Sequence, residues 1–141
     1  MQVATNVRRC RLRQDWSLST LAEVMTTKAG RTINASGLQK IEAGVRRVDV
    51  DDLMALALCL GVTPNTLLLP YSYSDETSYA ITGGADAWTG RQLWEWARGR
   101  EALPVEVANT EVAQLLDQLR RHEFVLNNNP DESDGQDDGD D

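Results

Sequence analysis

The chain has 141 residues, 41% hydrophobic and 26% charged, with a formal net charge of −8 at pH 7. That length suits one ordinary domain or a small domain with an appendage, and no apolar run approaches the twenty residues of a membrane-spanning helix. One histidine, His122, and two distant cysteines, Cys10 and Cys59, exclude the common metal-site spacings and most acid–base chemistry.

The charge is divided along the chain. Residues 1–48 carry nine basic and three acidic side chains, net +6, whereas residues 49–141 carry five basic and nineteen acidic ones, net −14. Such asymmetry points to an anionic partner for the first part. The segment from Met1 to Arg13 lacks the apolar stretch of a secretory signal, so a cytoplasmic location with two buried, reduced thiols is expected. Neither a glycine-rich phosphate loop nor a nucleophile elbow is present, so no cofactor and no catalysis are expected.

Taken in order, Val3, Val7 and Cys10 recur at helical spacing, with arginines on the other faces. Ser17 is a good N-cap for a second helix from Leu18 to about Thr27, with Leu18, Leu21, Ala22 and Met25 on one face. The stretch 28–33 reads as a glycine-containing turn. Asn34 caps a third helix with Leu38 and Ile41 inward and Gly44 past its end. Asp49 caps a fourth, with Asp51 and Asp52 near its positive end. Its body, residues 53–60, is apolar nearly all round and is expected at the centre of the core. Thr63-Pro64 opens a short fifth helix through Leu69, closed by Pro70.

Residues 71–87 lack steady periodicity and read as a linker or irregular arm. Thr89-Gly90-Arg91-Gln92 has the pattern of a capping box opening a short helix through Arg98. Trp88, Trp94 and Trp96 are read as core packing rather than a ligand cage. A longer helical pattern is strongest from Asn109 to Phe124, and its stripe of Val112, Leu115, Leu116 and Leu119 fits either domain core or a self-association surface. Residues 127–141 are expected to form a disordered acidic tail. The fold class is therefore all-α. The expected organisation is a five-helix domain at 1–70, a linker at 71–87, a helical region of possible dimerisation at 88–126, and the tail.

The ordered string Leu21-Ala22-Glu23, Leu38-Gln39-Lys40-Ile41-Glu42-Ala43-Gly44, Val45-Arg46-Arg47, residues 53–63 and Leu67-Leu68 resembles the XRE family, the Cro and lambda-repressor type of helix-turn-helix domain. The likeness covers about half the chain. It implies a second helix across the DNA backbone and a third in the major groove. Asn34 is then the cap, and Ala35, Ser36, Gln39 and Lys40 face outward. Gln39 suits a bidentate contact with adenine, Lys40 guanine or phosphate, and Ala35 a thymine methyl. Arg46, Arg47, Ser19 and Thr20 are placed for phosphates. The resemblance gives Glu42 a structural role, pairing with Arg8 or Arg11.

Two departures stand out. The interval from Ala22 to Glu42 is about six residues longer than the family's usual spacing, so Lys28 and Arg31 either form a phosphate-gripping wing or belong to a lengthened second helix. Leu18 stands where the family often has glutamine. The function implied is a DNA-binding transcriptional regulator, a repressor of phage or mobile-element type acting as a homodimer on double-stranded DNA. The alternative is an antitoxin-like or adaptor module whose partner is protein.

Overall fold

Side-chain caps decide where four helices of the first unit begin. The computed structural model describes residues 2–81, 86–104 and 110–129. Residues 1–72 form one compact unit, containing α1 (Gln2–Leu12), α2 (Leu18–Ala29), α3 (Ala35–Glu42), α4 (Val50–Leu60) and α5 (Pro64–Leu68). Ser17, Asn34, Asp49 and Thr63 each accept a backbone N–H from the residue three positions on. Each cap of this kind stabilises its helix by about 1 kcal/mol. Gly30, at φ 62°, ends α2 two residues beyond the expected Thr27, so Lys28 and Ala29 belong to this helix.

The core gathers Val7 and Cys10 from α1, Leu21 and Met25 from α2, Leu38 and Ile41 from α3, Leu56, Cys59 and Leu60 from α4, and Leu67 from α5. Helix α4 packs against α1, α2 and α5, and it fills the core with only part of its surface. Its Ala55, Leu56, Ala57, Cys59 and Leu60 lie in the core as expected, while Val50, Met54 and Leu58, spaced four apart, remain exposed. Both cysteines are buried free thiols, and burial pushes the Cys59 thiol up. One fully buried polar group joins the ends of the unit. The Asn6 carboxamide donates to the carbonyls of Leu67 at 3.0 Å and Leu69 at 2.8 Å. Those bonds satisfy two carbonyls near the end of α5 that α1 would otherwise cover.

The described residues from Tyr73 on form a second unit. It contains β1 (Ser78–Ala80), β2 (Ala87–Thr89), α6 (Gly90–Ala97) and α7 (Glu111–Asn128). The antiparallel pair β1–β2 corrects the all-α expectation and places a strand inside the stretch read as a linker. The register sets Tyr79 opposite Trp88, a cross-strand aromatic pair that stabilises so short a ladder. Three residues are too few to display period-two alternation in the sequence. The Thr89–Gln92 capping box is formed at the start of α6. Trp88 and Leu93 are buried, and the Trp88 indole donates to the Pro104 carbonyl at 3.0 Å. Trp96 is exposed, and Trp94 lies beneath the Arg98 guanidinium at 5.3 Å.

Helix α7 is capped by Thr110 and has no buried residue. Polar contacts tie it to its unit: Arg120 donates to the Leu103 carbonyl at 3.3 Å, and Asn129 to the Gly99 carbonyl at 2.8 Å. Its stripe of Val112, Leu115, Leu116 and Leu119 is therefore exposed and supplies no domain core. The helix also takes in Asn127 and Asn128, which the sequence assigned to the tail. The rest of that acidic segment, from Pro130 on, lies outside the described residues.

Candidate nucleic-acid interface

The short helix α3 is held at both ends and by one face. Leu38 and Ile41 sink into the core, with exposures of 0% and 1%, while Ser36, Gln39 and Lys40 on the other side are exposed and Ala35 is half-buried. The Asn34 side chain accepts the Gly37 N–H at 2.7 Å, so its carbonyl oxygen serves as the cap. At the other end Glu42 receives Arg11 in a two-bond fork, Nε to Oε1 at 2.6 Å and Nη2 to Oε2 at 2.7 Å. Arg11 Nη1 also donates to the Trp16 carbonyl at 2.6 Å, tying the fork to the start of α2. Of the two arginines that the resemblance offered to Glu42, the partner is Arg11.

Gly37 has a role that the sequence reading missed. A Cβ there would lie 2.9 Å from Ile33 Cγ2 and 3.0 Å from Arg46 Nη1. Glycine thus lets Arg46 lie against the first turn of α3. Arg46 and Arg47 are both exposed in the segment after α3, and Arg46 Nη2 reaches Asp52 at 3.1 Å.

Asp52 is the centre of a second polar cluster. Its side chain is 2% exposed, yet it lies in the first turn of α4 and accepts from two arginines, Arg46 and Arg31. Arg31 Nε is 2.7 Å from Asp52 Oδ1, and its other nitrogens lie 3.1 Å from Asp49 and 3.8 Å from Asp51. The hydrogen bond to Asp52 raises the Arg31 guanidinium above its ordinary value. Three aspartates thus surround the side chain read as a phosphate grip, while Lys28 in the last turn of α2 donates to the Leu58 carbonyl at 3.2 Å. Lys28 thus lies in α2 and Arg31 in the segment after it. At the start of α2, Ser19 is exposed, and the half-buried Thr20 shares a hydroxyl–hydroxyl bond of 2.8 Å with Ser17.

The arrangement brings Ala35, Ser36, Gln39 and Lys40 onto one outward face, with Arg46 beside its first turn. Such a surface combines hydrogen-bonding groups suited to base edges with guanidinium groups suited to phosphate. Among the described residues no group of His, Cys, Asp and Glu could hold a metal ion, and no helix is long and apolar enough to cross a membrane. Residues 7–67 match a family model described as Helix-turn-helix. No curated protein and no solved structure matches the chain.

Proposed function

We propose that this chain, whose residues 7–67 belong to the helix-turn-helix family of XRE type, is a sequence-specific DNA-binding regulator that represses transcription from an inverted-repeat operator as a homodimer. The observation that carries this reading is the outward face of α3, fixed by the Asn34 cap and the Arg11–Glu42 fork and bordered by Arg46. Gln39 is assigned to a base edge and Lys40 to a base or phosphate, and Arg46, Arg47, Ser19 and Thr20 to the backbone. Repression follows from occlusion of polymerase.

An eight-residue reading helix contacts too few base pairs for useful specificity, which favours two half-sites about one helical turn apart. The dimer contact is assigned to α7. Val112, Leu115, Leu116 and Leu119 are 51–69% exposed, and helices draw most of their stability from packing an apolar face, which α7 does not bury within its own unit.

The experiment is selection of bound duplexes from a random pool across a salt series, followed by sequencing. Enrichment of an inverted repeat is expected, with a log–log salt slope of about −5 for six phosphate contacts. Arg46→Ala with Arg47→Ala should weaken the footprint while the helical content is kept. Sequence-blind binding, or none, would refute the regulator and leave the protein-partner alternative.

A further inference from the structure

We infer that α1 carries a second phosphate-binding element, a groove of about 500 Å³ lined by Thr5, Arg8, Arg9, Leu12, Arg13 and Glu42. The inference rests on the DNA-binding reading above and extends its contact surface to a helix that neither the sequence pattern nor the family resemblance assigned to DNA.

Charge is the first support. Arg8, Arg9 and Arg13 form no ion pair among the described residues, whereas Arg11, Arg31 and Arg46 of the same unit each have a carboxylate partner. The only acid in the lining, Glu42, has both oxygens occupied by Arg11. Three uncompensated guanidinium groups therefore converge on one concavity.

Pre-organisation is the second. The Arg9 guanidinium lies 3.6 Å from the centre of the Tyr71 ring, with Nε and Nη2 buried and without a hydrogen-bond acceptor. Arg13 Nη1 donates to the Tyr71 hydroxyl at 2.9 Å. One tyrosine thus holds two arginines side by side, and its ring covers donors that a phosphate oxygen would satisfy.

Position is the third. Glu42 is the last residue of α3, so the groove begins where the candidate reading helix ends. Its open form suits a continuous sugar–phosphate backbone better than an enclosed small molecule. The occupant is a backbone phosphate of the duplex that α3 reads.

The test uses the full chain with Arg8→Gln and Arg13→Gln together, two exposed side chains whose change leaves the Arg11–Glu42 fork in place. Each lost phosphate contact flattens the salt slope by about 0.9, so the ratio of affinities at 50 and 200 mM salt should shrink about tenfold. The preferred sequence should stay the same. Duplex binding with an unchanged slope in the double variant would overturn the groove while sparing the regulator; failure of the unaltered chain to bind any duplex would overturn both. Pyrophosphate is the control for a free ligand. A thermal shift with pyrophosphate that the double variant loses, beside an unchanged duplex slope, would reassign the groove to a small phosphorylated molecule and refute the backbone contact.

Discussion

Glu42→Gln removes one charge from the fork that joins α1 to the end of α3 and leaves the other enclosed. The Arg11 and Glu42 side chains are 10% and 8% exposed, so water can do little to replace the lost carboxylate. A glutamine carbonyl can still accept one guanidinium N–H, but its amide group then presents hydrogens to the other. Hydrogen bonding to Glu42 raises Arg11 above its ordinary value, and a guanidinium does not shed its proton to escape. Removing one partner of a buried pair costs about 3–5 kcal/mol. The remaining bond to the Trp16 carbonyl and the single acceptor put Glu42→Gln near the low end, about 3 kcal/mol. For a unit of 72 residues whose whole stability is about 4–11 kcal/mol, that is a large fraction.

Urea unfolding of the full chain, followed by far-UV circular dichroism, measures it. With an m value near 1.5 kcal/mol/M, the midpoint of the helical transition should fall by about 2 M at unchanged slope. The double variant Arg11→Met, Glu42→Leu should return to within about 1 kcal/mol of the unaltered protein, because neither member is left charged and alone. With the singles Arg11→Met and Glu42→Leu each costing about 3 kcal/mol, the double-mutant cycle then yields a coupling of about 5 kcal/mol. A loss below 1 kcal/mol for Glu42→Gln, or a double variant as unstable as the summed singles, would refute the argument that the fork holds α3 in place.

Other substitutions probe the remaining features. Gly37→Ala gains about 1 kcal/mol of helix propensity, but its Cβ meets the buried Ile33 at 2.9 Å, where overpacking costs about 1–3 kcal/mol. A net loss of about 1 kcal/mol in chemical unfolding is expected, and a gain in stability would contradict the close approach. The Tyr73 hydroxyl, and after it Arg98, hold the Glu95 carboxyl below its ordinary value of 4.5. Since the folded value lies below the unfolded one, this contact contributes fully above pH 4.5 and is lost as pH falls through the folded value. Acid titration by tryptophan fluorescence should show the second unit loosening there, less steeply in Glu95→Gln. The slope should not vanish, because Asp75 and Asp117 are shifted in the same direction. If the proposed dimer forms through α7, Leu115→Asp with Leu119→Asp should convert it to monomer by light scattering and weaken binding to the selected duplex at least tenfold; a dimer of undiminished strength would remove α7 from the contact.

Local signals proved the most legible part of the sequence. Ser17, Asn34, Asp49, Thr63 and Thr89 cap the helices they precede, because a cap needs only an oxygen and an N–H three residues on. The end of α2 was harder. Lys28 and Ala29 looked like turn residues beside Gly30, yet a glycine in the left-handed region closes a helix that runs up to it. Contacts between distant residues stayed hidden. No local signal marks Asn6, whose partners lie 61 and 63 positions away. Asp52 was read as a charge near a helix dipole, whereas it is a buried acceptor for two arginines. The insert offers Arg31 to a phosphate-gripping wing or a lengthened second helix, and spacing could not reveal the three aspartates around it. On α3, by contrast, the periodicity of Leu38 and Ile41 already separates the inward face from the outward Ser36, Gln39 and Lys40.

The two arginines on Asp52 also bear on how a protein can lend a stabilising residue to a ligand. Oδ1 belongs to Arg31 at 2.7 Å and Oδ2 to Arg46 at 3.1 Å, so each oxygen has its own cation. If Arg46 swings towards a phosphate, the buried carboxylate keeps its shorter bond and its neutralising charge. Arg31 then acts as a standby that lets Arg46 change allegiance without loosening the first turn of α4. A protein with only Arg46 at this place would have to choose between holding its own acid and gripping DNA. Here each cation has its own oxygen of the same side chain, so the proposed phosphate contact of Arg46 would leave the Arg31 bond in place.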